Sequence, residues 1–89
     1  MQGNCFLRGR WSDLETHHLF GGANRKKADR DGLVVQLCHF CHNEPPNGAH
    51  FNRDTMLYLH QHGQRIAMEK HGWSIDDFIR EYGMNFLEE

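Results

Sequence analysis

Eighty-nine residues make one small domain, near the size at which a hydrophobic core alone is marginal and a metal, disulfide or partner subunit supplements it. No apolar run is long enough to span a bilayer and no charged-then-apolar leader opens the chain, which points to a soluble cytoplasmic protein with no membrane partner. The net charge of −2 excludes a wholesale polyanion binder, but residues 1–30 carry six Lys/Arg against three Asp/Glu (+3) and residues 31–89 carry four against nine (−5). That split suits a localised phosphate-binding face better than a fully basic surface, but charge alone favours two ordinary solvated surfaces.

In chain order, "SDLETHHLF" at 12–20 reads as a short strand with its preceding turn, Leu14, Thr16 and His18 alternating with Glu15 and His17. "GGANRKKADRDG" at 21–32 reads as a loop opened by Gly21-Gly22 and closed by Asp31-Gly32. "LVVQL" at 33–37 is β-branched and apolar, the second strand of a hairpin. "CHFCHN" begins a helical turn that Pro45-Pro46-Asn47-Gly48 halts.

A helix is expected from Asn52 or Asp54, with Met56, Leu59, Gly63 and Ile66 on one face. Glycine inside a helix costs about 1 kcal/mol relative to alanine, so Gly63 marks a close backbone approach. Gly72 ends that helix, and Ser74 with Asp77 opens another in a capping-box pattern. The second helix buries Ile75, Phe78, Ile79 and Tyr82 and stops at Gly83. Both helices read as the packing layer of the hairpin, with Trp73 and Phe86 included. The fold class expected is α+β.

Histidine is the compositional outlier. Five of eight fall between residues 17 and 50, the window that also holds Cys38 and Cys41. Imidazole and thiolate are the side chains that best suit zinc and similar ions. His60, His62 and His71 fall in helical sequence and are expected at the surface. Three cysteines, an odd number, argue against a disulfide framework. Cys5, Cys38 and Cys41 read either as a structural zinc site, with His39 or His42 as fourth ligand, or, with the fourth position empty, as merely buried cysteines.

The order strand with His-His, basic loop, strand, Cys/His-rich turn, helix is carried by "LETHHLFGGANRK", "LVVQLCHFCHNE" and "GAHFN". These stretches resemble the HNH (ββα-metal, His-Me finger) endonucleases, in particular small phage-encoded HNH proteins akin to RecA-dependent nucleases. The "YGMNFL" ending at 82–87 also looks like that group. The resemblance implies one domain over 1–89, with a ββα-metal core at 5–52 and a helical extension at 53–89 packed on it. It implies a DNA endonuclease that hydrolyses phosphodiester bonds with one divalent metal (Mg²⁺, Mn²⁺, Ni²⁺ or Zn²⁺) and nicks one strand per site.

By the same resemblance, His17 and His42 are metal ligands, His50 is a third, and His18 is the general base. Arg25, Lys26 and Lys27 are candidate DNA phosphate contacts or equally a solvated loop, Asn24 would tie the loop together, and Glu44 is a further candidate that the sequence alone does not place in the site. A host-cytoplasm location and a partner (a recombination or packaging protein, or a second copy of the chain) follow from the same likeness. Successive strand residues point to opposite faces, so His17 and His18 would converge through a strand bend near Gly21-Gly22. The pattern is also departed from: Arg8 stands where zinc-bearing relatives have the second cysteine of a C-x-x-C begun by Cys5. An alternative reading is a catalytically silent, zinc-stabilised HNH-like binding module acting through a protein or DNA partner. A metal-storage or sensor protein would explain the histidines but leave the basic loop idle.

Overall fold

The computed structural model describes residues 1–87. Its elements are β1 (Gln2–Asn4), β2 (Trp11–His18), a 3-10 turn (Gly22–Asn24), α1 (Arg25–Arg30), β3 (Val34–Cys38), α2 (His39–Asn43), α3 (Arg53–His71) and α4 (Ile75–Tyr82). β2 is the central strand, antiparallel to β1 and to β3, and the class is α+β as expected.

Three elements differ from the sequence reading. β1 was not foreseen: three residues are too few to show an alternation, yet they pair from Gln2↔Asp13 to Asn4↔Trp11. The stretch read as a loop at 21–32 contains α1, because the six residues "RKKADR" between the bounding glycines are mostly good helix formers. β2 ends at His18 rather than Phe20, and Leu19 and Phe20 turn off the sheet into the core.

The β2–β3 register sorts the side chains. Directly opposed residues share a face, so His17 and Glu15 lie on the face of Val35 and Leu37, both buried. His18 and Thr16 lie on the other face with Val34 and Gln36, where Thr16 Oγ1 donates to Gln36 Oε1 at 3.1 Å. Pairing continues without interruption from Leu14↔Cys38 to His18↔Val34, so the strand does not bend between the two histidines. The bend follows them.

α3 starts where Asn52 accepts a hydrogen bond from the Thr55 amide and ends at Gly72 in the left-handed conformation. Leu59, Gly63, Gln64 and Ala67 are its buried residues, with Met56 packed at the margin of the core. Ile66 falls off this stripe and faces solvent, contrary to expectation. A Cβ at Gly63 would lie 2.9 Å from the Phe20 ring and 3.2 Å from Leu19 Cβ, which is the close approach that a mid-helix glycine implied. Gln64 holds the segment after α4, accepting from the Phe86 amide at 2.7 Å and donating to Asn85 Oδ1 at 2.8 Å.

α4 begins with the expected capping box between Ser74 and Asp77. It buries Phe78 and Tyr82, while Ile79 faces outward against expectation. Full burial of Phe78 is worth roughly 2–3 kcal/mol. The three helical histidines expected at the surface are each engaged. His60 stacks on Phe20, His62 packs against Phe6, and His71 stacks on Trp73 and pairs with buried Asp31 at 3.2 Å. Among the described residues, no helix is long and apolar enough to cross a membrane.

Candidate metal centres and the flanking histidine

The β1–β2 connection folds tightly around Cys5, whose carbonyl accepts from the Gly9 amide at 2.7 Å and whose amide donates to Arg10 O at 3.0 Å. Cys38 caps the start of α2, and Cys41 follows within that helix. The three sulfurs lie within 4.8 Å of one another, all buried as free thiols. Burial raises the Cys5 pKa, but backbone amides of Cys38, Arg8 and Leu7 outweigh it and bring the thiol down to about 7. Burial, then the neighbouring Cys38 and Cys5, pushes Cys41 up to about 12. Amides aimed at a sulfur favour its thiolate, and a buried set of three soft donors suits a metal such as zinc.

No fourth ligand joins them among the described residues. Arg8 extends over the Phe40 ring at 4.6 Å, His39 turns to Glu15, and His42 belongs to a second cluster. The Cys₃His set expected from the sequence is therefore a Cys₃ set.

The second cluster brings together His17, His42 and His50, each offering a ring nitrogen within 4.8 Å of the others. β2 supplies His17, α2 supplies His42, and the loop before α3 supplies His50. His17 is 2% exposed, and its Nε2 has no hydrogen-bond partner among the described residues. An orphaned buried nitrogen costs about 1–3 kcal/mol, a cost that metal coordination would remove. Burial first, then His42 and His50, lowers the His17 pKa to about 4, and burial and His42 lower that of His50. Both shifts favour the neutral ring, which is the form that binds metals.

His42 is oriented from behind. Its Nδ1 donates to Glu15 Oε1 at 2.8 Å, and its Nε2 lies 3.1 Å from His50 Nε2. Tetrahedral zinc with bonds of 2.0–2.1 Å places its ligand nitrogens about 3.3 Å apart, so this spacing fits one shared ion. His39 Nδ1 donates to the other Glu15 oxygen at 3.0 Å, and these two imidazole contacts hold the carboxyl below its ordinary pKa.

His50 is folded back onto α2 by three amides: Gly48 to Glu44 O, Ala49 to Cys41 O and His50 to His42 O. A Cβ at Gly48 would lie 2.6 Å from the Glu44 nitrogen, so only glycine lets the loop close this tightly.

His18 stands apart from the cluster. Its Nδ1 is 2.7 Å from Asp29 Oδ1 and its Nε2 is 2.9 Å from Arg25 Nη2, both side chains coming from α1. The three basic candidates divide. Arg25 caps His18, and Lys27 donates to Glu81 O at the end of α4 at 2.6 Å. Lys26 is exposed. Asn24 donates to Tyr82 O at 2.9 Å, tying its loop to α4. Glu44 is exposed, and its part in the site is backbone: its carbonyl holds the Gly48 amide. An open groove of about 810 Å³ lies between Phe51, Leu57, His60 and Phe86, and the histidine cluster does not line it.

Glu15, Asp29 and Gly48 were not singled out in the sequence. Glu15 was legible in principle, two residues before His17 on the same strand face. Asp29 was hidden by reading α1 as loop, since the i,i+4 relation to Arg25 exists only in a helix. Comparison with protein-family models, curated proteins and solved structures finds no match to this chain.

Proposed function

We propose that the protein is a metal-dependent DNA endonuclease of the HNH type, cutting phosphodiester bonds at the His17/His42/His50 cluster with His18 as general base. The observation that carries this reading is the pairing of a three-histidine cluster with a separate, partly exposed imidazole next to it in the chain. A storage site has no use for the second. The strand–strand–helix order of β2, β3 and α2 around the cluster supports the ββα-metal reading of the core.

A divalent ion on the three histidines would supply Lewis acidity to the scissile phosphate and charge for the departing oxygen. The chain's own residues do the rest. His18 Nε2 accepts a proton from water as the water oxygen bonds to phosphorus. The bond from phosphorus to one sugar oxygen breaks, that oxygen leaves with the electron pair, and it takes up a proton from solvent. Arg25 and Lys26 meet the DNA backbone, a salt-sensitive contribution without sequence preference. A metal on Cys5, Cys38 and Cys41 would fix β1, β3 and α2 relative to one another, and with them His42.

The test is nicking of supercoiled plasmid with Mg²⁺, Mn²⁺, Ni²⁺ or Zn²⁺ added, comparing the native chain with His18→Ala and a chelated control. Metal-dependent nicking that His18→Ala lowers by about 100-fold or more supports the reading. A folded, metal-loaded protein that nicks nothing with any of these metals rejects it in favour of the silent binding module.

A further inference from the structure

α1 is too short to add much to the core, and only Ala28 is buried within it. Its placement has another consequence. Arg25 and Asp29 stand four residues apart, on one helix face, and both reach the His18 ring from opposite sides. A carboxylate can only accept a hydrogen bond and a guanidinium can only donate one. Asp29 Oδ1 therefore requires a hydrogen on His18 Nδ1, and Arg25 Nη2 requires a lone pair on Nε2.

We infer that Asp29 is a positioning residue that fixes His18 as the Nδ1–H tautomer, and that Arg25 guards the Nε2 lone pair until a phosphate draws it away. The inference rests on the nuclease reading and deepens it. Nε2 is the atom that must take the proton from water, and in the Nδ1–H tautomer that Asp29 selects it is Nε2 that carries the lone pair. Asp29 also holds the ring against rotation about its outer bonds, as an acceptor behind a general-base histidine does. Arg25 occupies that lone pair at 2.9 Å in the absence of substrate. A DNA phosphate is a stronger partner for a guanidinium than a neutral imidazole. Substrate binding thus moves Arg25 to the backbone and releases the base in one exchange, so that His18 is free where DNA is present.

Two measurements test this on the full chain. In zinc-loaded protein labelled with ¹⁵N-histidine, long-range proton–nitrogen correlation spectra read the tautomer of His18. The native chain is expected to show Nδ1–H, and Asp29→Asn, which can donate to Nδ1, to lose it. In plasmid nicking, Asp29→Asn is expected to lower kcat by about tenfold or more with KM nearly unchanged, and Asp29→Glu to restore most of it. Arg25→Ala is expected to act mainly on KM.

An Nε2–H tautomer in the native chain overturns the inference. So does an Asp29→Asn variant that keeps both the tautomer and kcat, or one that loses kcat only in proportion to folded protein. If the native chain nicks nothing, the nuclease reading fails while the spectra still decide whether Asp29 sets the tautomer.

Discussion

His42 gives its Nδ1 hydrogen to Glu15 Oε1 over 2.8 Å, and the same ring turns its Nε2 to 3.1 Å from His50. A carboxylate behind a ligating imidazole fixes its tautomer and makes the other nitrogen a better donor. Glu15→Ala is therefore expected to weaken metal binding at the histidine cluster by about 10–100-fold. Competition against a chelating dye measures it. An unchanged affinity would mean that the contact does not orient the ligand.

The three buried thiols are expected to hold zinc in a way that stabilises the fold. Zinc-loaded protein should protect all three cysteines from a thiol reagent, and chelation should expose them. Cys41→Ser should bind one zinc fewer and melt lower, roughly 4–8 °C for each 1 kcal/mol lost in a domain of this size. Binding should also release protons, since burial and its neighbours push the Cys41 thiol up to about 12. Thiols equally reactive with and without zinc would remove the metal from this cluster.

Acid is expected to destabilise the metal-free chain. Burial and the neighbouring His42 and His50 lower the folded pKa of His17 to about 4, against an ordinary value of 6.5. Between those values the unfolded chain takes up a proton that the folded chain does not. Stability is then fully present above pH 6.5 and lost as pH falls toward 4. His50 and His60 shift in the same direction, through burial. Melting curves at pH 7.5 and 5.5 should show the fall, and His17→Gln should make it shallower. Equal melting temperatures in the native chain would show that His17 is freely protonated.

Gly63 sets two effects against each other. Alanine gains about 1 kcal/mol in an exposed helix interior, whereas forcing atoms into a packed core costs typically 1–3 kcal/mol. The contact decides between them, because the Phe20 ring 2.9 Å from the new methyl is wedged among His60, Phe78, Tyr82 and Phe86 and cannot yield. Gly63→Ala is expected to destabilise the protein, with a lower denaturation midpoint in urea. A higher midpoint would show that α3 can move away from Phe20.

The residues that announce themselves by type were legible in the sequence. Clustered histidines and cysteines came together because a hairpin followed by a turn returns residues 38–50 to the strand that carries His17. Caps were legible too, since Asn52, Ser74 and Gly72 act through local backbone geometry. What escaped depends on a register or a helix not yet known. β1 gives no periodic signal in three residues, and Asp29 means nothing until α1 sets it one turn from Arg25. Ile66 and Ile79, hydrophobic and so expected inside, face outward, while neighbouring Ala67 and the already expected Phe78 are fully buried. The separation of the two histidines by the pleat was visible beforehand. The strand does not bend between them, and it leaves His17 and His18 on opposite faces of the sheet instead of converging.

Lys26 and Lys27 are adjacent and alike in charge, but α1 points them to different tasks. Lys27 donates to Glu81 O at 2.6 Å, where the carbonyls at the end of α4 carry partial negative charge, and Arg30 joins it on the Glu81 carboxylate at 3.5 Å. Lys26 is exposed and has no side-chain hydrogen bond or ion pair among the described residues. Lys27→Ala is therefore expected to loosen α4 and lower stability by about 1 kcal/mol, or roughly 4–8 °C in melting temperature. Lys26→Ala should leave the melting temperature unchanged and weaken DNA binding. One lost phosphate contact lowers the slope of log affinity against log salt by about 0.9 on duplex DNA. Titrations at several salt concentrations, with melting curves on the same samples, separate the two. Equal losses of slope would make both lysines DNA contacts, and α4 would then have to release Lys27 for DNA to bind.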